Sequence, residues 1–291
     1  MANGDDGLFG PASVTWRILG EPVMWVAGFR ALYLQALHPR TMRGTWQNSA
    51  LIDPKEAWGR FMRTSEYVRV RTFGSMDAVE RVGRRVRKIH ASLTGVDPDG
   101  TVFRLDEPES LLWVHCGEIS SYADIAARSG MPLCRHDLDR FVDEQRAAAA
   151  VVGLDPADVP ASVAELDAYY ETMRPKIYAC EEAKKALRMS FNPAVPRALL
   201  PLKAVAPPLN TLAFATLPRW ARRMYGVRDT PLTDIWATVT LRALHAATRP
   251  LPTQVRYPPG VRRARERVRE YEQQQQRRLG TWPVTRPGMM T

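Results

Sequence analysis

The sequence predicts an all-α fold, a single mainly helical domain followed by a polar C-terminal helix. Three observations carry this expectation. Apolar residues recur at three- and four-residue spacing through most of the chain, helix-start signatures of the Asp-Pro and Ser-x-x-Glu kind stand between those runs, and alternating strand patterns are scarce. No internal repeat is visible.

Val23 to Leu37 reads as a helix that His38-Pro39 ends. Asp53-Pro54-Lys55-Glu56 is a helix start, with Asp53 as N-cap, Pro54 at the first helical position and Glu56 completing a capping box. The next helix begins near Ser75 and places Val79, Val82, Val86, Ile89 and Leu93 on one apolar stripe, with Arg81, Arg84, Arg85, Arg87 and Lys88 around the remaining face. Asp97-Pro-Asp-Gly100 is a turn, and Val102-Phe-Arg-Leu after it is the best strand candidate. Pro108 opens a helix over Glu109 to Arg128 that closes near Gly130, and Leu138 to Val152 is a further one that Gly153 stops. Ser162-Val-Ala-Glu165 is a second capping box, opening a helix with Leu166, Tyr169, Tyr170 and Met173 that Pro175 bends or ends. Lys176 to Phe191 follows. Leu199 to Pro218 is apolar but split by Lys203, Pro207-Pro208 and Asn210, which predicts an irregular buried or lipid-facing segment. Thr230-Pro231 opens a helix that stops before Pro250. Composition changes near Pro258, so residues 1–257 are read as the helical body and 258–291 as a basic C-terminal helix and tail, docked along a thin stripe of Val261, Ala264, Val268 and Tyr271.

At 291 residues with 45% hydrophobic and 25% charged residues, the chain can bury a substantial core, and no disordered class fits. A net charge of +10 suits a nucleic acid, an anionic membrane surface or the carboxylates of a cofactor, and does not choose among them. The basic helix from Arg262 to Arg278 has one aromatic and no base-reading motif around it, so no nucleic-acid partner is expected. Three widely spaced cysteines, Cys116, Cys134 and Cys180, form neither a disulfide framework nor a CxxC pair, which points to a reduced, cytoplasmic setting. Cys134-Arg-His136-Asp137 has no second ligand pair to close a zinc site. Met1 to Asp6 lacks the basic residues and apolar block of a signal peptide, and Val23 to Leu37, broken by Arg30, is shorter than the roughly 20 apolar residues a span needs. A soluble protein is expected, with peripheral contact to a membrane left open. Gly-rich phosphate loops, a Gly-x-Ser-x-Gly elbow and acidic clusters with metal spacing are all missing, so phosphoryl transfer, serine hydrolysis and di-iron chemistry lack their minimal parts.

The informative residues lie on two successive helices. Arg60, Arg63 and Thr64 fall at i, i+3 and i+4 on one face, and His90 sits on or beside the apolar stripe of the next helix. A neutral imidazole held rigidly in a dry place is a good iron ligand. From position alone, the ordinary reading of His90 is a core histidine with both nitrogens hydrogen-bonded, and that of Arg60 and Arg63 a solvated face. His115, four residues before Ile119, also points near the core, as a neighbour of the site or as an alternative ligand. His38 is expected to cap or close a helix end and His245 to be a packing residue.

Trp58-Gly-Arg60-Phe-Met-Arg63-Thr64, Phe73-Gly74, Val86-Arg87-Lys-Ile-His90-Ala-Ser-Leu-Thr-Gly95 and Leu111-Leu-Trp113-Val114-His115, in that order, resemble the motifs of the MpaB-like oxygenases, a family that includes the rubber-cleaving latex-clearing proteins. The similarity runs from about His38-Pro39 to the Leu217-Pro218 and Tyr225-Gly226 segment. The resemblance implies a globin-like helical core, a b-type haem and oxidative chemistry on hydrophobic substrates. It implies His90 as the proximal iron ligand, Arg87 one turn before it, and Arg60 and Thr64 as the arginine and threonine beside the haem. Arg63 stands where latex-clearing proteins carry a distal lysine. A guanidinium keeps its proton at ordinary pH and is a poor iron ligand, so a lysine-capped state and rubber as substrate are not carried over. Arg63 or Arg60 would then hydrogen-bond bound oxygen or neutralise a haem propionate, and Thr64 would donate a proton or hold a water.

The resulting expectation is a haem b-dependent oxygenase that oxidises a hydrophobic small molecule with dioxygen or peroxide. Two alternatives stay open: a haem-binding protein for transport, storage or sensing, and a basic helical nucleic-acid-binding protein.

Overall fold

Polar caps set where most helices begin, and apolar faces decide how they stack. The computed structural model describes residues 7–49, 53–193, 200, 202–227 and 230–280, so expectations about Met1 to Asp6 and the tail after residue 280 lie outside the described residues. Among the described residues the chain forms fourteen helices and one two-stranded hairpin, a mainly helical single domain.

Ser13 Oγ accepts the Trp16 amide and caps α1 (Val14–Leu19), an element too short to show a period in the sequence. In α2 (Met24–Gln35), the interrupting Arg30 is buried and donates to Ser121 Oγ at 2.7 Å and to the Thr216 carbonyl at 3.2 Å. His38 starts a helix instead of merely ending one. Its Nδ1 accepts the Thr41 amide at 3.3 Å at the head of α3 (Pro39–Asn48), which the sequence did not announce because it buries only Pro39, Met42 and Gly44.

The Asp53 carboxylate accepts the Glu56 amide at 3.0 Å and opens α4 (Pro54–Phe73), as expected. After the Gly74-Ser75 turn, α5 (Met76–Ser92) packs against α4. Its expected stripe is corrected: Val79 and Gly83 are buried, but Ile89 is 44% exposed. The reason is a close approach at Gly83, where a Cβ would lie 2.8 Å from Val151, so that α5 leans on the residues before Gly153 and turns Ile89 outward. The hairpin pairs β1 (Thr94–Val96) antiparallel to β2 (Val102–Arg104), with Gly95 opposite Phe103. A Cβ at Gly95 would lie 2.3 Å from the Phe103 ring, which explains the glycine that hid β1 from strand patterning.

The centre of the core is α6 (Pro108–Arg128), which packs lengthwise on α2; Trp113 Nε1 donates to the Gln35 carbonyl and Gln35 Nε2 to the Val114 carbonyl, both at 2.9 Å. The next helix, α7 (Arg135–Val152), begins three residues before the expected Leu138, because the Cys134 amide donates to the Asp137 carboxylate at 2.9 Å. Gly153 ends it with a φ of 97°. Ser162 caps α8 (Val163–Met173), whose Tyr170 hydroxyl donates to the Cys116 carbonyl at 2.9 Å.

Two further expectations are corrected. Lys176 does not start a helix: the Tyr178 amide donates to the Leu37 carbonyl at 2.9 Å, which holds the chain extended until α9 (Glu181–Phe191). The segment read as irregular is α10 (Leu202–Ala215), helical despite Pro207 and Pro208 within it. It packs on α2, buries Leu212, Ala213 and Ala215, and places the Asn210 side chain between the Tyr33 hydroxyl, 2.6 Å away, and the Ser190 carbonyl, 2.7 Å away. Burial there outweighs the hydrogen bonds that proline removes.

The short α11 (Arg219–Met224) carries the buried Arg222, paired with Asp234 at 3.0 Å on α12 (Pro231–Thr248). After α13 (Thr253–Arg256), α14 (Pro259–Gly280) docks through Val261, Ala264 and Val268 on Trp16 and Phe73, along the expected stripe. Cys116 and Cys180 are buried, Cys134 is exposed, and all three are free thiols. Among the described residues no helix is long and apolar enough to cross a membrane.

Candidate active site

Positions 60, 64, 67 and 71 line one face of α4, and that face passes from solvent into the core. Thr64 is exposed, Tyr67 is half-buried and Arg71 is buried. The Arg71 guanidinium reaches across to α6 and forms a two-pronged ion pair with Glu118, with arms of 2.6 and 3.1 Å, while lying over the Tyr67 ring at 5.4 Å. The Arg71–Glu118 pair thus bridges α4 and α6. Burial opposes the charge on both partners. Their mutual attraction prevails, leaving the arginine's pKa raised and the glutamate's lowered.

His115 projects from α6 beside that pair and is 4% exposed. Burial first, and the Arg71 charge second, push its pKa down to about 4, so it is neutral at pH 7. Its Nε2 is sealed from solvent without a hydrogen-bond partner, and the Tyr67 hydroxyl is likewise sealed without a bond of proper geometry. Buried polar atoms left in this state are rare and costly in folded proteins, and several around one ion pair point to a group that completes them.

At the N-terminal end of the same face, the half-buried Arg60 donates from its guanidinium to Ser49 Oγ and to Thr45 Oγ1, anchoring α4 to the end of α3. Burial, and then Arg63, lower its pKa from the ordinary value. His90 on α5 is half-buried, and burial followed by the Arg60 charge lowers its pKa against a weaker pull from Asp106. Its Nδ1 is also sealed without a partner. The expected cluster is therefore only partly assembled. The Arg60 charge acts on His90, whereas Arg63 and Thr64 are exposed, with the Arg63 guanidinium lying back against Gly59. Arg87 is engaged elsewhere, donating to the Val151 carbonyl at 2.7 Å and packing on Gly153. His245, as expected, is a packing residue, with Nδ1 3.1 Å from the Ser129 carbonyl.

Tyr67, Arg71 and Glu118 escaped sequence reasoning. The signal was present: residues 67 and 71 continue the face of Arg60 by seven and eleven, and Glu118 follows His115 by three. A cleft of about 300 Å³ lined by Val159, Pro160, Glu165 and Tyr169 among others shares no residue with this cluster.

The donor set suits a haem. Two neutral imidazoles, His115 buried and His90 half-buried, each present a nitrogen without a partner, and the Arg60 guanidinium beside His90 can meet an anionic carboxylate. Among the described residues no three of His, Cys, Asp and Glu gather as a protein-only metal cage would require.

The family described as ER-bound oxygenase mpaB/B′/rubber oxygenase, catalytic domain, matches residues 16–250. The chain belongs to this oxygenase family. No curated protein and no solved structure matches it. The oxygenase domain thus runs from within α1 to the end of α12 and contains every residue of the cluster, while α13 and α14 lie beyond it. Membership makes the chain an oxidoreductase of the oxygenase kind, acting in general terms on oxygen and an organic substrate.

Proposed function

We propose that this oxygenase is haem b-dependent and oxidises a hydrophobic small molecule, with His90 as the residue that would hold the iron. The observation that carries this reading is the His90 imidazole itself: held on a rigid helix, kept neutral by burial and by Arg60, and with a sealed nitrogen that no protein group satisfies. When bound, haem supplies an iron centre able to activate dioxygen or peroxide.

The remaining work falls to side chains. Arg60, fixed by Thr45 and Ser49, offers a permanent cation to a propionate or to a polar end of the substrate. Arg63 is exposed beside it, and since a guanidinium is a poor metal ligand it contributes charge and hydrogen bonds without acting as a closing ligand. Thr64, on the Arg60 face and open to solvent, holds a water or passes a proton at its hydroxyl. A second reading, in which His115 is the ligand, is favoured by its deeper burial and sealed Nε2.

Absorption spectroscopy of the purified chain, before and after addition of haem, tests both. The intense near-ultraviolet band of a histidine-ligated porphyrin is expected. His90→Ala should lose it, and His115→Ala should keep part of it, because a neighbour of a ligand typically costs only about 10 to 100-fold in affinity. Failure to take up haem under oxidising and reducing conditions defeats the proposal, and the reverse pattern of mutants assigns the iron to His115. Aerobic turnover of alkenes or aromatics separates the oxygenase from a haem carrier.

A further inference from the structure

We infer that the outer face of α12 docks on an anionic lipid surface, an inference independent of the haem reading. Ala237, Leu241 and His245 form the buried side of this helix. On the opposite side Leu232, Ile235, Trp236 and Val239, spaced i, i+3, i+4 and i+7, are 73%, 60%, 48% and 61% exposed. The same line continues through exposed Ala243 and Ala246. A helix apolar on both sides is ordinarily covered on both.

Charge selects the occupant. The exposed ionic residues of α12 are Arg242 and its C-cap Arg249, set along one edge of the apolar line. Between Thr230 and Arg256 the sequence holds one acid, Asp234, and its carboxylate accepts from Arg222 and Arg219. The outward surface is therefore apolar with a cationic margin, the pattern of an interfacial helix whose arginines reach lipid phosphates while its apolar chains enter the headgroup boundary.

A second copy of the chain fits less well. Four side chains exposed to this degree, only one of them aromatic, offer well under the ~800 Å² per partner of a stable complex. Two chains of net charge +10 would also repel, with no exposed acid on this face to offset it.

Sedimentation of the full chain with vesicles of phosphatidylcholine alone, and of phosphatidylcholine mixed with phosphatidylglycerol, tests the inference. The chain should bind the anionic vesicles, and binding should fall at least about tenfold on neutral vesicles or in high salt. Ile235→Asp/Val239→Asp, at exposed positions and with an unchanged circular dichroism spectrum, should weaken binding at least about tenfold. Arg242→Gln/Arg249→Gln should weaken it on anionic vesicles alone. Three results would overturn the inference: no binding by the wild type, undiminished binding by the Asp variant, which would move the contact elsewhere, or a wild-type dimer in sedimentation velocity that the Asp variant splits.

Discussion

Arg71 and Glu118 hold α4 to α6 through a two-pronged ion pair, with side chains 3% and 14% exposed and a shorter arm of 2.6 Å. Removing one partner leaves the other charged and buried. Arg71→Met or Glu118→Gln should cost about 3–5 kcal/mol, whereas Arg71→Met/Glu118→Leu should recover most of that loss. Urea unfolding of the four proteins in this cycle measures the coupling, and additive losses would contradict it.

Stability should fall on mild acidification. His115 titrates at about 4 in the folded chain against 6.5 when unfolded, so below pH 6.5 the unfolded chain takes up a proton that the native state refuses. The contribution is complete above pH 6.5, declines by about 3 kcal/mol as pH drops to 4, and levels off below that. His90, lowered by burial, adds in the same direction. Denaturant midpoints between pH 4 and 7.5 should show this slope, and His115→Gln should flatten it.

Arg60 and His90 are coupled through space, and the coupling has a sign. Arg60→Met removes a cation that lowers the His90 pKa, so the imidazole should titrate higher in the haem-free variant. Nuclear magnetic resonance titration of the histidine ring protons reads this directly. An unmoved His90 would detach Arg60 from the site.

Gly95 closes the motif that begins at Val86 and contains His90, and packing supplies the reason. Gly95→Ala forces a methyl into the Phe103 ring and should destabilise the chain by about 1–3 kcal/mol. Thermal melting checks the loss, and Gly95→Ala/Phe103→Leu should restore part of it by making room.

Polar signals at helix starts were legible because they act locally: Asp53 with Glu56, and Ser162 with Glu165, need only their own backbone. What depended on distant partners was not. Residues 177–180 are extended because of Leu37, and α10 is helical because α2 covers it. In the site, Arg60 and His90 drew notice through helical spacing and then the family resemblance, but an arginine at position 71 reads as solvated until Glu118 is found opposite it. Period alone also missed Ile89, since the contact line of α5 was decided by the absent side chain of Gly83.

The unequal burial of the three thiols equips the native chain for labelling. Burial raises the pKa of Cys116 and Cys180, which keeps both protonated and unreactive, while Cys134 stands exposed at the head of α7. A maleimide dye added to the folded protein should therefore attach at one defined point. That point lies one turn from the Arg17–Asp137 ion pair, so a fluorophore there would report the fraying of α7 from α1 without any cysteine having to be engineered in or out.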